Sequence, residues 1–195
     1  WSDIEHGQRY TEAIQAAAQE GAESFQNWFN AAEGVQQATV HGFWDFSVHI
    51  LTPGVCAHIR NPGSATALEI GYGGGRILNA ACSFFGHAIG VDIHAESDRV
   101  AAYLRGQGKA NFQLLRTEGK TLPVPNCSVD LVYSFIVLQH LPRFDVFENY
   151  VQESFRCLKR GGVAQLYFGT WRKLAKWARV RYYLQGYKEL PEAPV

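Results

Sequence analysis

The 195-residue sequence has no methionine, no CxxC pair and no net charge. A chain of this length would ordinarily carry a few methionines, and this one opens on Trp1, so it is expected to be a segment of a longer protein. Lys plus Arg and Asp plus Glu stand at 18 each, so a basic footprint for nucleic acid over the whole domain is absent. Cys56, Cys82, Cys127 and Cys157 lie far apart. That spacing points away from a zinc site or a disulfide framework and toward a reduced, cytoplasmic protein. No apolar run approaches the roughly 18 residues of a membrane span, and no stretch reads as a signal peptide. What is present is 47% hydrophobic and only 18% charged, the composition of a folded core rather than of disorder. The length suits one α/β domain or two small ones.

The first third reads as helical. Residues 9–30 place Ala13, Ile14, Ala17, Phe25, Trp28 and Phe29 at helical spacings. A second helical stretch, about 35–51, carries the cluster Gly42-Phe-Trp-Asp-Phe46, and a short helix is expected around 54–60 before the loop Asn61-Pro-Gly-Ser64. From Ala65 the grammar changes. Strands are expected at 67–70, 88–92, 111–115, 129–134 and 162–168, with helices over 76–85, 96–107 and 144–158 between them. Strands alternating with helices of this length imply βαβ units and a parallel, doubly wound sheet. The expected organisation is a helical N-terminal cap or lid over 1–64 and an α/β core over 65–195.

Between the first strand and its helix lies Glu69-Ile-Gly71-Tyr72-Gly73-Gly74-Gly75-Arg76. An α/β sheet binds ligands outside the carboxyl ends of its strands, and glycines there let a ligand approach the backbone. The dinucleotide pattern G-x-G-x-x-G/A fails in both frames, since its sixth position is Arg76 or Leu78. The P-loop pattern fails too, because no Gly-Lys-Ser/Thr follows.

The turn resembles the E-x-G-x-G-x-G motif of class I S-adenosylmethionine-dependent methyltransferases, and the resemblance continues in register. Asp92 ends the second strand. Thr117-Glu118-Gly119-Lys-Thr-Leu-Pro-Val-Pro125 is similar to the family's G-D-A-x-x-L-P-F-P segment. Ser128-Val-Asp-Leu-Val-Tyr-Ser134, Val137-Leu-Gln-His-Leu-Pro142 and Cys157-Leu-Lys-Arg-Gly-Gly162 resemble its later motifs. The match spans about 65–170 and is similar to the small-molecule branch. It implies a Rossmann-like fold, S-adenosylmethionine as cofactor and S-adenosylhomocysteine as product. Carried over residue by residue, Gly71, Tyr72, Gly73 and Gly75 form the turn under the methionyl part. Glu69 supplies negative charge near the amino group, and Asp92 accepts from the ribose hydroxyls. Ile93 packs on the adenine, Glu118 accepts from the adenine amino group, Gly119 offers a backbone N–H to the ring, and Ser134 lies beneath the methionine.

Methyl transfer from a sulfonium is an in-line displacement in which positioning dominates, and an O or N nucleophile also needs a base. Histidine titrates in the right range. His140, after the fourth strand, is the leading candidate, with His41 and His49 as alternatives in the lid. His94 is expected beside the adenine, and His6, His58 and His87 read as surface or packing residues. The aromatic stretch 42–46 is expected either to wall the acceptor or to pack as core. Nine basic residues and no acidic ones occur from Arg156 to Lys188. A helix over about 171–184 would put Trp171, Leu174 and Trp177 on one stripe with the cations outward, a packed helix rather than a nucleic-acid arm. The family's last two strands are not recognisable after Phe168. The expected partner is thus a small-molecule acceptor, with no nucleic acid and no transmembrane segment. A nucleic-acid or protein methyltransferase using the basic segment, or a non-catalytic cofactor-binding module, are the alternatives.

Overall fold

A computed structural model describes residues 3–30, 34–141 and 143–168, with side chains from residue 9 onward. The expected C-terminal helix over 171–184 and its basic residues lie outside the described residues. The order is α1 (Asp3–Glu20), α2 (Ala22–Asn30), α3 (Gly34–Asp45), a π turn (Phe46–Ile50), α4 (Pro53–His58), β1 (Thr66–Ile70), α5 (Arg76–Phe84), β2 (His87–Asp92), α6 (Ser97–Gly106), β3 (Phe112–Arg116), β4 (Val129–Ser134), α7 (Phe144–Cys157) and β5 (Leu158–Leu166).

The strands form one sheet in the order β3-β2-β1-β4-β5, every pairing parallel. β1 and β4 lie in the middle and are buried almost throughout, as strands covered by helices on both faces must be. β3 is half-exposed along its length, as an outer strand can be. The strand order reverses between β1 and β4, which creates a crevice at the carboxyl ends of those two strands.

Three sequence expectations are corrected. The stretch 9–30 is two helices, because Gly21, at φ 136°, breaks the chain between α1 and α2. The second stretch is likewise divided, α3 giving way to a π turn that holds His49. The fifth strand runs over Leu158–Leu166 rather than 162–168, since pairing with β4 already starts at Val129 and Leu158.

The N-terminal helices share the core of the sheet. Ile14, Phe25, Phe46 and Ile50 pack in the same buried cluster as Leu78, Leu131 and Tyr133. α3 lies so close to α5 that a Cβ at Gly42 would collide with the carbonyl of Arg76, so only glycine permits the approach. The Asp45 carboxylate then accepts from the Arg76 guanidinium at 2.6 Å, tying the two helices at their edge. Phe46 resolves the two readings of the aromatic stretch in favour of core: it is fully buried, stacks on Phe84 at 5.6 Å and meets Tyr133 edge-on. Trp44 points outward and is 68% exposed, so the stretch forms no continuous aromatic wall.

Candidate cofactor and acceptor site

The glycine turn leaves β1 at the crevice. Gly71 N–H donates to the Val91 carbonyl at 2.7 Å, extending the β1–β2 ladder by one bond. Gly71 and Gly73 have φ of 79° and 50°, left-handed values that a side chain resists. They are also closely covered. A Cβ on Gly71 would lie 2.5 Å from a methyl of Val137, and one on Gly73 would lie 2.8 Å from the Phe29 ring. The turn is therefore roofed from two directions, by the loop after β4 and by α2. Gln26 adds a hydrogen bond from its side-chain amide to the Gly74 carbonyl at 3.3 Å.

Asp92, at the end of β2, organises the turn. Its Oδ2 accepts from Gly73 N–H at 2.8 Å and its Oδ1 from Ile93 N–H at 2.7 Å. The side chain is 11% exposed, and each oxygen keeps lone-pair capacity for a further donor. His94 completes the frame from beneath. Its Nδ1 accepts from Glu96 N–H at 3.1 Å, so the proton resides on Nε2, which donates to the Gly73 carbonyl at 3.1 Å. The imidazole is 1% exposed and edge-on to Phe25 and Tyr72. It thus positions Gly73 as a neutral donor, rather than lying open beside a base. Tyr72 is 3% exposed, and its hydroxyl is buried without a hydrogen-bond partner. An unpaired buried hydroxyl of this kind is a free hydrogen-bonding group within the turn.

Glu69 faces away from solvent altogether. It is 2% exposed and accepts from the Tyr133 hydroxyl at 3.0 Å. Burial pushes its carboxyl up to about 8, against the opposing pull of the Tyr133 hydrogen bond and the Arg76 charge. Burial, then the Glu69 charge, likewise raise the Tyr133 phenol well above its ordinary range. At neutral pH Glu69 is mainly the neutral acid. Ser134 is fully buried and donates to the Ile70 carbonyl at 3.0 Å, bracing the two strands that flank the crevice.

The remaining candidates are distributed along the same end of the sheet. Ile93 is half-buried and follows Asp92; Glu118 is exposed beyond β3. Gly119 N–H is turned inward to the Thr117 hydroxyl at 3.2 Å, within a loop closed by a Thr117 bond to the Thr121 carbonyl. His140 is exposed on a short helical turn, its ring 6.2 Å from that of Tyr10 on α1. His49 is more deeply held. Its Nδ1 lies 3.1 Å from the Tyr167 hydroxyl, and its ring stacks on Phe135 at 4.9 Å. Phe135 and Tyr167 follow the carboxyl ends of β4 and β5, so the structure brings His49 to the crevice end of the sheet. Between Phe135 and Val137, Ile136 sits at φ 57°. A β-branched residue there costs about 1–3 kcal/mol, a strain of the sort found at functional loops.

Sequence reasoning missed Phe29 and Gln26 as covers of the turn, and His94 as its internal support. Helical periodicity marked Phe29 as apolar, yet no local signal says which surface a helix 40 residues upstream will meet. For His94, its place two residues after a strand-ending carboxylate was a usable signal.

The comparisons with known proteins agree with this architecture. A family model described as a methyltransferase domain matches residues 68–166. No curated protein matches. Among solved structures, Haemonchus contortus phosphoethanolamine N-methyltransferase 1, in complex with phosphoethanolamine and S-adenosylhomocysteine, superimposes with a TM-score of 0.56 at 16% identity, covering 80% of this chain and 30% of that one. CalS10, an S-adenosylmethionine-bound amino pentose methyltransferase from Micromonospora echinaspora, gives 0.53 at 21% identity, covering 73% and 59%. The chain spans 48–61% of the length of the first such structures it matches. Among the described residues no helix is long and apolar enough to cross a membrane, and no group of three His, Cys, Asp or Glu could hold a metal.

Proposed function

Since the chain belongs to the family of methyltransferase domains, we propose that it transfers the methyl group of S-adenosylmethionine to an O or N atom of a small-molecule acceptor and releases S-adenosylhomocysteine. The observation that carries the reading is the pairing of the glycine turn with Asp92 at the β1/β4 crevice. When bound, the cofactor supplies an electrophilic methyl on a sulfonium. Everything else falls to this chain's residues.

The residues present fit that group. Left-handed Gly71, Gly73 and Gly75 leave the turn's surface free of Cβ atoms. Asp92 is fixed by backbone N–H groups and keeps acceptor capacity for a ribose diol, with Ile93 beside it for an adenine face. The unpartnered Tyr72 hydroxyl is a further hydrogen-bonding group within the turn. Glu69 contributes from behind the strand, with Ser134 bracing β4 against β1. Glu118 and Gly119 are proposed for the adenine edge. Phe29 and Val137 cover the turn and would exclude water once the cofactor is in place. On this reading residues 1–64 act as the cap and 65–195 as the core.

For an acceptor that must lose a proton, His140 is the proposed base. His49 is the second reading, favoured by its contacts with Tyr167 and Phe135. The fold accommodates small acceptors, since the neighbours named above include enzymes of phosphoethanolamine and of an amino pentose. A reducing, cytoplasmic setting suits four unpaired cysteines, two of them exposed. Titration calorimetry with S-adenosylhomocysteine and with NAD tests the proposal. The first should bind and the second should not; binding of NAD alone would overturn it.

A further inference from the structure

A second concavity lies at the opposite end of the sheet, where the strands begin. It has a volume of about 260 Å³ and is lined by His58 and Arg60 after α4, Asn61, and Arg160 of β5, with Asp130 of β4 at its floor. The five residues of β1, at about 3.3 Å each, separate it from the glycine turn by roughly 15 Å.

Its charge is unbalanced. Asp130 is already spoken for: its Oδ2 accepts from Lys159 at 2.7 Å and from Thr66 N–H at 2.8 Å. Among the described residues, neither Arg60 nor Arg160 pairs with a carboxylate, and the Asn61 side-chain amide has no hydrogen-bond partner. His58 Nδ1 is 2.9 Å from the Gly54 carbonyl, which leaves the other ring nitrogen uncommitted. Two permanent cations and an amide therefore share one small space with a neutralised aspartate.

The backbone holds these groups apart at a fixed separation. The β4–β5 register slips here, with β5 advancing from Leu158 to Val163 while β4 advances only from Val129 to Leu131. That irregularity swings Arg160 out of the ladder and toward the concavity. On the other side, the Asn61–Ser64 turn is closed by Ser64 N–H and hydroxyl bonds to the Asn61 carbonyl, both at 3.2 Å, and Gly86 N–H ties Pro62 to the sheet at 3.0 Å.

We propose that this concavity binds a small phosphate monoester through the Arg60 and Arg160 guanidinium groups. Guanidinium forks match the oxygens of a phosphate, and a dianion balances two unpaired cations where a monocarboxylate balances one. At about 30 Å³ of liquid volume per water, the space holds on the order of eight waters, enough for a phosphate with a short organic stem. A ligand here cannot reach the methyl-transfer site, so it would anchor or regulate the protein rather than react.

The test uses the full chain at constant ionic strength. Calorimetric titrations with inorganic phosphate, glycerol 3-phosphate and succinate are compared for the wild type, Arg60→Gln and Arg160→Gln. The wild type should bind glycerol 3-phosphate saturably, at least as tightly as inorganic phosphate and more tightly than succinate. Each substitution should weaken that binding by about tenfold or more, as expected for loss of a charge-assisted contact. Melting temperature and S-adenosylhomocysteine affinity should stay unchanged in both variants. Absence of phosphate-ester binding, equal binding by both variants, or a preference for inorganic phosphate or succinate would overturn the assignment.

Discussion

The neutral state of Glu69 makes a quantitative prediction about stability and pH. The side chain is fully buried in β1 and accepts a hydrogen bond from Tyr133, and burial raises its carboxyl from an ordinary 4.5 to about 8. Between those values the native protein holds a proton that the unfolded chain has released. Raising the pH therefore favours the unfolded state, and the stability present at low pH is lost as pH climbs toward 8. The linkage amounts to roughly 1 kcal/mol at about pH 5 and roughly 4 kcal/mol at about pH 8. Glu69→Gln removes the titration while keeping the shape. Its amide carbonyl can accept from Tyr133, and its NH₂ replaces the O–H of the neutral acid. Urea unfolding of the ligand-free protein, followed by tryptophan fluorescence across this pH range, should show the variant gaining on the wild type by about 3 kcal/mol between the two ends. Taking the difference between the two proteins cancels the titration of the histidines common to both. A stability difference that stays flat with pH would mean that Glu69 is ionised in the native state, and would refute the reasoning.

Other substitutions probe the crevice and its frame. Asp92→Ala should weaken S-adenosylhomocysteine binding by about 1.5–3 kcal/mol in a calorimetric titration, as loss of charge-assisted hydrogen bonds requires; unchanged affinity in a folded variant removes Asp92 from the site. With an acceptor in hand, whichever of His140→Ala and His49→Ala removes the base should lower turnover by about 10²–10⁴-fold with cofactor affinity nearly intact. If neither does, the reaction needs no histidine base. Arg156→Ala should destabilise the fold by about 2–3 kcal/mol in urea unfolding, because Arg156 donates to the Leu122 and Val124 carbonyls and to Glu153 at 2.7–2.9 Å. A cost no larger than that of an ordinary surface substitution would show that the loop before β4 holds its course without it.

How much of this was legible in the sequence depends on the range over which each signal acts. The core strands could be read because β1 and β4 are short apolar runs flanked by turn residues, and a parallel central strand must be apolar on both faces. The glycine turn could be read because each glycine answers a local demand, a left-handed φ or a close approach. The start of β5 was placed too late because Lys159, Arg160 and two glycines resemble a turn, whereas pairing to β4 already begins at Leu158. The break at Gly21 was hidden by the apolar spacing that continues across it.

The cap is the harder case, and the reason is physical. Phe29, Phe46 and His49 each satisfy a helical pattern, but a pattern fixes only which side of a helix is apolar. What each side meets is decided by contacts across long stretches of chain: Phe29 on Gly73, Phe46 on Tyr133, and His49 with Phe135 and Tyr167. The clue that a sequence does carry lies in the small residues opposite. Gly42 exists to admit the Arg76 backbone, and Gly73 and Gly74 exist in part to admit Phe29. A glycine explained wholly by its turn leaves that partner unsought. Asking of each one what lies where its side chain would have been joins the cap to the crevice, and makes α2 part of the site rather than a neighbour of it.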